Sequence, residues 1–220
     1  MINALELSRL INNNGGNLLD VIDIEDIQSY SRLRGWLLTE DVSTHTSFQE
    51  TFRDYYGLGG VGVNKEFIQK FFEVLESQKT GESFDFRVVS RELLGARPKR
   101  KLSSAQFAYL SKMANVINPD YPIYDNHIAD IFEFEKPTQS KLDSRERMNI
   151  YVKFYEELRG VYQTILSEAM VHDTLVVFKI LLKKYRNEEF PSYSLPDMKK
   201  LDFLVEAVSK NRKSLVKAAR

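Results

Sequence analysis

Between Leu102 and Pro119 the sequence carries a single charged residue, Lys112, although 28% of its 220 residues are Asp, Glu, Lys or Arg. A stretch so poor in charge offers no face to water, so the fold must take it inside. Phe107, Leu110, Met113, Ala114 and Ile117 recur at helical spacing along one side and predict a core stripe. Ser103 or Ser104 can cap the start of this helix. On the opposite side, the neighbours of Lys112 one turn away are Ala108, Tyr109 and Val116 rather than acids. An ammonium held among such groups loses hydration, which favours the neutral amine and lowers its pKa. That is the condition under which a lysine attacks carbon near neutral pH. Pro119 and Pro122 then stop the helix and turn the chain. Tyr124 to Phe132 reads as a second helix with Asp125 at its N-cap and Ile128, Ile131 and Phe132 facing inward. The helix beyond Lys112 rises by only about 7 Å, so a loop of this length can return Asp125 to the level of the amine. Spacing alone also supports a second account: lysines commonly snorkel from helices, and an Asp before a helix is more often a cap than a catalyst.

Phe107-Ala-Tyr-Leu-Ser-Lys-Met113 followed by Tyr121-Pro-Ile-Tyr-Asp-Asn-His-Ile128 resembles the lysine and aspartate segments of the helix-hairpin-helix DNA glycosylases. The likeness is to their 8-oxoguanine glycosylase-like branch, in which a Ser/Val-Lys-Met-like helix precedes a Pro-Ile-x-Asp-like turn. It is also similar to a group of bacterial proteins that end in a Lys-Lys-x-Asp-Phe-like helix, here Lys199 to Phe203. The resemblance implies a base-excision glycosylase, with or without lyase activity, that needs no cofactor and takes DNA carrying a modified or damaged base. It implies that Lys112 attacks the sugar carbon bearing the base, and that Asp125 deprotonates the lysine or stabilises positive charge on the sugar. Such an enzyme holds an extruded base against aromatic walls, for which Tyr109, Tyr121 and Tyr124 are the nearby candidates. The family's Leu-Pro-Gly-Val-Gly-like hairpin does not precede Lys112, where Lys99-Arg-Lys-Leu-Ser-Ser104 stands instead.

A glycine-rich stretch, Leu58-Gly-Gly-Val-Gly62, competes for the hairpin role between helices expected over Phe48 to Tyr56 and Asn64 to Gln78. Its amides could meet a phosphate. Lys65 and Asp85 would then be the reacting pair, but Lys65 sits beside Glu66 in a charged, exposed neighbourhood. Ser47 and Glu50 form a capping-box pattern for the first of these helices. Gly57, Gly59 and Gly62 formally match Gly-x-Gly-x-x-Gly, yet a helical pattern precedes them where a dinucleotide site requires a strand.

The 31 basic and 31 acidic residues cancel, which is unusual for a module whose only task is to hold DNA. The cations are clustered, however. Arg87, Arg91, Arg97, Lys99, Arg100 and Lys101 lead into the Lys112 helix against Glu92 alone, and seven basic residues lie between Lys199 and Arg220. Arg97, Lys99, Arg100 and Lys101 are the candidate phosphate contacts, which would make binding salt-dependent. Without cysteine there is no disulfide framework or thiolate site, and His45, His127 and His172 are too scattered to predict a metal centre. No apolar run approaches a membrane span, and the expected location is cytoplasmic, on the nucleoid if DNA is bound.

Periodicity predicts one all-α domain over residues 1–220, a compact bundle of about nine or ten helices, its two lobes, if it has them, meeting near 95–130, and the resemblance implies that the bundle is helix-hairpin-helix glycosylase-like. Short alternations at Asp20 to Ile24 and Phe84 to Val88 allow one small strand pair. Ser144 to Met170 carries a long stripe through Met148, Tyr151, Tyr155, Leu158, Tyr162, Ile165 and Ala169, and Thr174 to Tyr185 reads as a central helix. Met198, Leu201, Leu204, Val205 and Val208 predict a docking helix from Asp197. Two non-catalytic readings stand beside the enzyme: a helical nucleic-acid- or protein-binding module that keeps the fold, and an oligomer assembled through the Ser144 to Met170 stripe.

Overall fold

The computed structural model describes residues 1–59, 63–81, 83–95, 104–138, 142–184 and 195–218, and every regular element among them is a helix. In chain order these are α1 (Ala4–Asn13), α2 (Gly15–Asp20), α3 (Ile24–Thr39), α4 (Thr46–Tyr56), α5 (Lys65–Gln78), α6 (Phe86–Gly95), α7 (Ser104–Ile117), α8 (Asn126–Ile131), α9 (Ser144–Ser167), α10 (His172–Lys184) and α11 (Asp197–Ala218). Asn3, Asp23, Asn64, Asp125 and Asp143 each accept a hydrogen bond from their own helix's first turn, as short polar side chains at N-caps do.

The expected strand pair is absent among the described residues, and the cause is the same at both places. Asp23 accepts from the Glu25 amide at 2.8 Å, and Asp85 accepts from the amides of Arg87 and Val88 at 2.8 and 3.1 Å. A capping aspartate in the middle of each short alternation starts a helix there. The capping box expected from Ser47 and Glu50 is also displaced: His45 caps α4, its Nδ1 accepting from Phe48 N at 3.0 Å. The turn held by Asp41, which accepts from the Ser43 amide and hydroxyl, ends at His45 and sets that start.

Close helix packing divides into two sets. Helices α3 to α7 pack among themselves, and α1, α2 and α8 to α11 pack among themselves, with α11 lying against α8 and α9. Long side chains span the seam between them. Phe107 of α7 meets Tyr124, Tyr151 and Tyr155 with ring centroids 5.0 to 5.7 Å apart, and Phe86 meets Tyr155 at 4.7 Å. The Lys112 helix is therefore enclosed on nearly every side; even Gln106, Ser111 and Asn115 are buried on it.

The helix expected at the centre, α10, lies at the edge instead. Its Leu175 and Phe178 are buried, but Val176, Val177 and Ile180 face outward, because among the described residues only α1 and α11 lie closely against it. The stripe on α9 is spent internally: Met148, Tyr151, Tyr155, Leu158, Tyr162 and Ile165 are all buried within the chain, so none is free to join a second copy. Ala169 falls beyond the helix, in a left-handed turn with φ of 52°. No helix among the described residues is long and apolar enough to cross a membrane.

Both helix ends beside the site are secured. Gly57 closes α4 in the left-handed region at φ 63°, and its amide bonds back to Arg53 O. Among the described residues, chain neighbours aside, no atom lies within 4 Å of where a Cβ would stand. Gly57→Ala therefore costs backbone strain alone, about 1 kcal/mol, and thermal unfolding should show Gly57→Asn losing less. At the end of α7, the Arg34 guanidinium donates to the carbonyls of Val116 and Ile117 at 2.6 and 2.5 Å, meeting both the open acceptors and the negative end of the helix dipole.

Candidate active site

Lys112 leaves α7 half-buried and donates to the Tyr56 carbonyl at 2.6 Å, the last residue of α4. Burial pushes its ammonium below the ordinary lysine range, while the negative charges of Asp125 and Glu206 act in the other direction. No ion pair joins Lys112 directly to Asp125; the carboxylate acts on the amine through space, from across the seam. Asp125 itself caps α8, accepting from Ile128 N at 2.8 Å. Glu206 on α11 pairs with Lys210 at 2.7 Å. Its charge also raises Asp26 of α3, after burial the strongest influence there, so α3, α7, α8 and α11 each bring a titratable group to one region.

The turn that delivers Asp125 is held at backbone groups of four successive residues, Tyr121 to Tyr124. Asn115 Nδ2 donates to Tyr121 O at 2.7 Å, and the Tyr155 hydroxyl donates to Pro122 O at 2.5 Å. Asp202 Oδ1 accepts from Ile123 N at 3.0 Å. Ser111 Oγ accepts from Tyr124 N at 3.0 Å and lies 3.2 Å from Tyr124 O. A turn built of Pro-bracketed residues leaves buried amides and carbonyls unpaired by any helix, so side chains must meet them. Two of those side chains, Ser111 and Asn115, flank Lys112 on its own helix.

Behind this turn lies a buried ion pair. Lys199 Nζ is 2.8 Å from Asp202 Oδ2 and donates to Asn115 Oδ1 at 2.9 Å, with the residues 1% and 3% exposed. The Tyr30 and Phe203 rings lie 4.5 and 4.9 Å from the ammonium. Asn115 Oδ1 accepts a second bond from the Tyr56 hydroxyl at 2.9 Å, and the Tyr30 hydroxyl donates to Asn115 O at 3.2 Å. Burial raises the Asp202 carboxyl, against the Lys199 ammonium and the Ile123 amide, which lower it.

The other expected residues divide plainly. Tyr109 is half-buried, and its hydroxyl donates to Gly59 O at 3.0 Å, so it braces the start of the glycine-rich stretch. Tyr121 and Tyr124 are buried in the aromatic core; Tyr121 accepts from Phe84 N, and Tyr124 packs on Phe107. Their positions are those of packing residues, not of an open wall. Arg97, Lys99, Arg100, Lys101 and Gly62 lie outside the described residues. Of the same basic run, Arg87 and Arg91 are exposed on α6. In the C-terminal run, Lys199 and Lys200 are buried and paired with Asp202 and Asp197, which removes them from the expected cationic surface. Lys65 is exposed. Asn115 and Asp202 carry the network yet were given no site role by sequence, although Lys199 and Asp202 stand three apart in the Lys-Lys-x-Asp-Phe-like segment.

No family model matches the chain, and neither curated proteins nor solved structures yield a match.

Proposed function

We propose that this protein is a base-excision glycosylase acting on DNA with a modified or damaged base, with Lys112 as the amine nucleophile and Asp125 as its carboxylate partner. One observation carries the reading: a lysine depressed by burial, standing in the field of a carboxylate delivered from the facing set of helices. In the proposed reaction the lone pair of the neutral amine attacks the sugar carbon, and the glycosidic bond breaks. The bonding pair leaves with the base, which takes up a proton. The new ammonium gives its proton to Asp125; the C1′–O4′ bond then breaks as the nitrogen lone pair forms the C1′=N bond of a Schiff base, and O4′ takes that proton from Asp125. Loss of the adjacent C2′ proton then expels the 3′ phosphate and cleaves the strand. Asp125 also stabilises the positive charge that develops on the sugar. Such an enzyme works where the DNA is, in the cytoplasm or on the nucleoid.

The test is borohydride trapping on duplexes carrying oxidised, alkylated or deaminated bases, together with abasic-site DNA. A denaturation-resistant adduct on at least one of them is expected; none on any, abasic DNA included, would overturn the reading. The pH dependence carries a second expectation. Burial outweighs the two carboxylates, so trapping should rise with pH through a midpoint below 10.5, the unperturbed lysine value. Asp125→Asn removes a charge that raises the amine, so the midpoint should move down even as the plateau rate falls. A midpoint that stays put or climbs would show that this carboxylate does not act on the amine.

A second reading is favoured by the same geometry. Lys112 bonds the last carbonyl of α4 and Asp125 caps α8, so both groups have structural work in a non-catalytic helical binding module. The two readings part on the behaviour of Lys112→Arg, taken up below.

A further inference from the structure

We propose that the buried Lys199 and Asp202 pair is a positioning element that, through Asn115 and the Ile123 amide, holds Asp125 in register with Lys112. The purpose of this element rests on the proposed function; its physical content is a relation between side chains that can be read without DNA.

Contacts run without a gap from one candidate residue to the other. Lys112 donates to Tyr56 O at 2.6 Å, and the Tyr56 hydroxyl donates to Asn115 Oδ1 at 2.9 Å. The same oxygen accepts from Lys199 at 2.9 Å, Lys199 meets Asp202 at 2.8 Å, and Asp202 accepts from the Ile123 amide, two residues before Asp125, at 3.0 Å. The path crosses the seam once, at the bond between Lys199 on α11 and Asn115 on α7. A desolvated ion pair generally adds little stability over apolar residues of equal volume, and its better-attested use is to select one arrangement among several. Here each member spends its remaining hydrogen bond on the opposite lobe or on the turn, as a registering device must. Ser111 and Asn115 grip the turn from α7 itself, whereas Asp202 reaches it from α11, so it couples the position of α11 to that of the turn. The carboxylates that act on Lys112 are Asp125 and Glu206, not Asp202. A change at Asp202 that alters Lys112 must therefore work indirectly, by moving one of them or by changing how far the amine is buried, and the two are separated by the Asp125→Asn background.

The experiment is site-resolved reductive methylation of Lys112 with formaldehyde and cyanoborohydride at fixed pH below its midpoint, mapped by peptide mass. The double variant Lys199→Met with Asp202→Leu removes the pair and the acceptor for Ile123 while keeping the interior filled. Lys199→Met with Asp202→Asn removes both charges but keeps an oxygen for that amide. The Leu double should methylate about threefold faster or more, because the carboxylate no longer holds the proton on the amine. The Asn double should lie between the Leu double and the unaltered protein, because it keeps an acceptor for Ile123 but loses the Lys199 bond to Asn115 across the seam. In an Asp125→Asn background the Leu double should produce no further change, which separates an effect through that carboxylate from one through simple access. Equal rates for the Leu and Asn doubles, or a full effect persisting without Asp125, would overturn the proposal. Should the Leu double lose its helical circular dichroism, Asn115→Leu cuts the path at the seam and must accelerate methylation at least as much as the Asn double; an unchanged rate there also overturns it. Trapping on DNA that fails while this pattern holds would sink the enzyme and leave the positioning intact; the converse outcome would do the reverse.

Discussion

Lys112→Arg is expected to abolish the borohydride-trapped adduct completely while leaving the fold almost unchanged. The guanidinium keeps a donor for the Tyr56 carbonyl and a cation at the negative end of α4, so its bracing role survives. It stays protonated at any accessible pH and has no free lone pair for a sugar carbon. Lys112→Ala should lose the adduct as well, and in addition about 1 to 3 kcal/mol, because the Tyr56 carbonyl is left without its partner. If the arginine variant still forms an adduct, the reacting amine lies elsewhere. If the unaltered protein forms none and only the alanine variant is altered, in its melting, then bracing α4 is the whole role of this lysine and the binding-module reading takes over.

Asp202→Ala should destabilise the protein by about 3 to 5 kcal/mol, the ordinary cost of leaving a buried charge without its partner. For a domain of this size that corresponds to a fall of roughly 10 °C in melting temperature. The stranded group would be the Lys199 ammonium, 1% exposed and enclosed by Tyr30 and Phe203, with Asn115 as its remaining acceptor. Exchanging both members for apolar residues should cost far less, because no charge is then left in the interior. Urea or thermal unfolding distinguishes the cases. A single substitution that costs less than about 1 kcal/mol would mean that water reaches the pair after all.

Much of the helical architecture was legible residue by residue. Lys112 stood out because nothing charged surrounds it, and a helix without a polar face has to be enclosed, as α7 is. Asp125 as a cap followed from an aspartate placed three residues after Pro122 and before an apolar periodic run. Other features resisted. The alternations at Asp20 to Ile24 and Phe84 to Val88 imitate strands over too few residues to outweigh the capping aspartate inside each. Helix α10 is as apolar as a central helix, and composition cannot say that its neighbours among the described residues leave Val176, Val177 and Ile180 uncovered. Lys200, expected in a cationic surface, is buried beside Asp197 because charge counts along the chain do not register which way a helix faces.

The sequence by itself determined a helical chain whose charge-free segment must be buried, and it marked one amine and one carboxylate as worth asking about. Both follow from local rules: spacing on a 3.6-residue period, caps, prolines and the cost of hiding charge. Only the tertiary structure decided what surrounds them. It set Lys112 on the Tyr56 carbonyl, brought the charge of Asp125 to it across a seam, and tied the intervening turn to Asp202, which is 77 positions further along the chain than Asp125. Hydrogen bonds between residues so far apart leave no periodic trace, because each is satisfied by whichever partner the packing of whole helices brings within 3 Å.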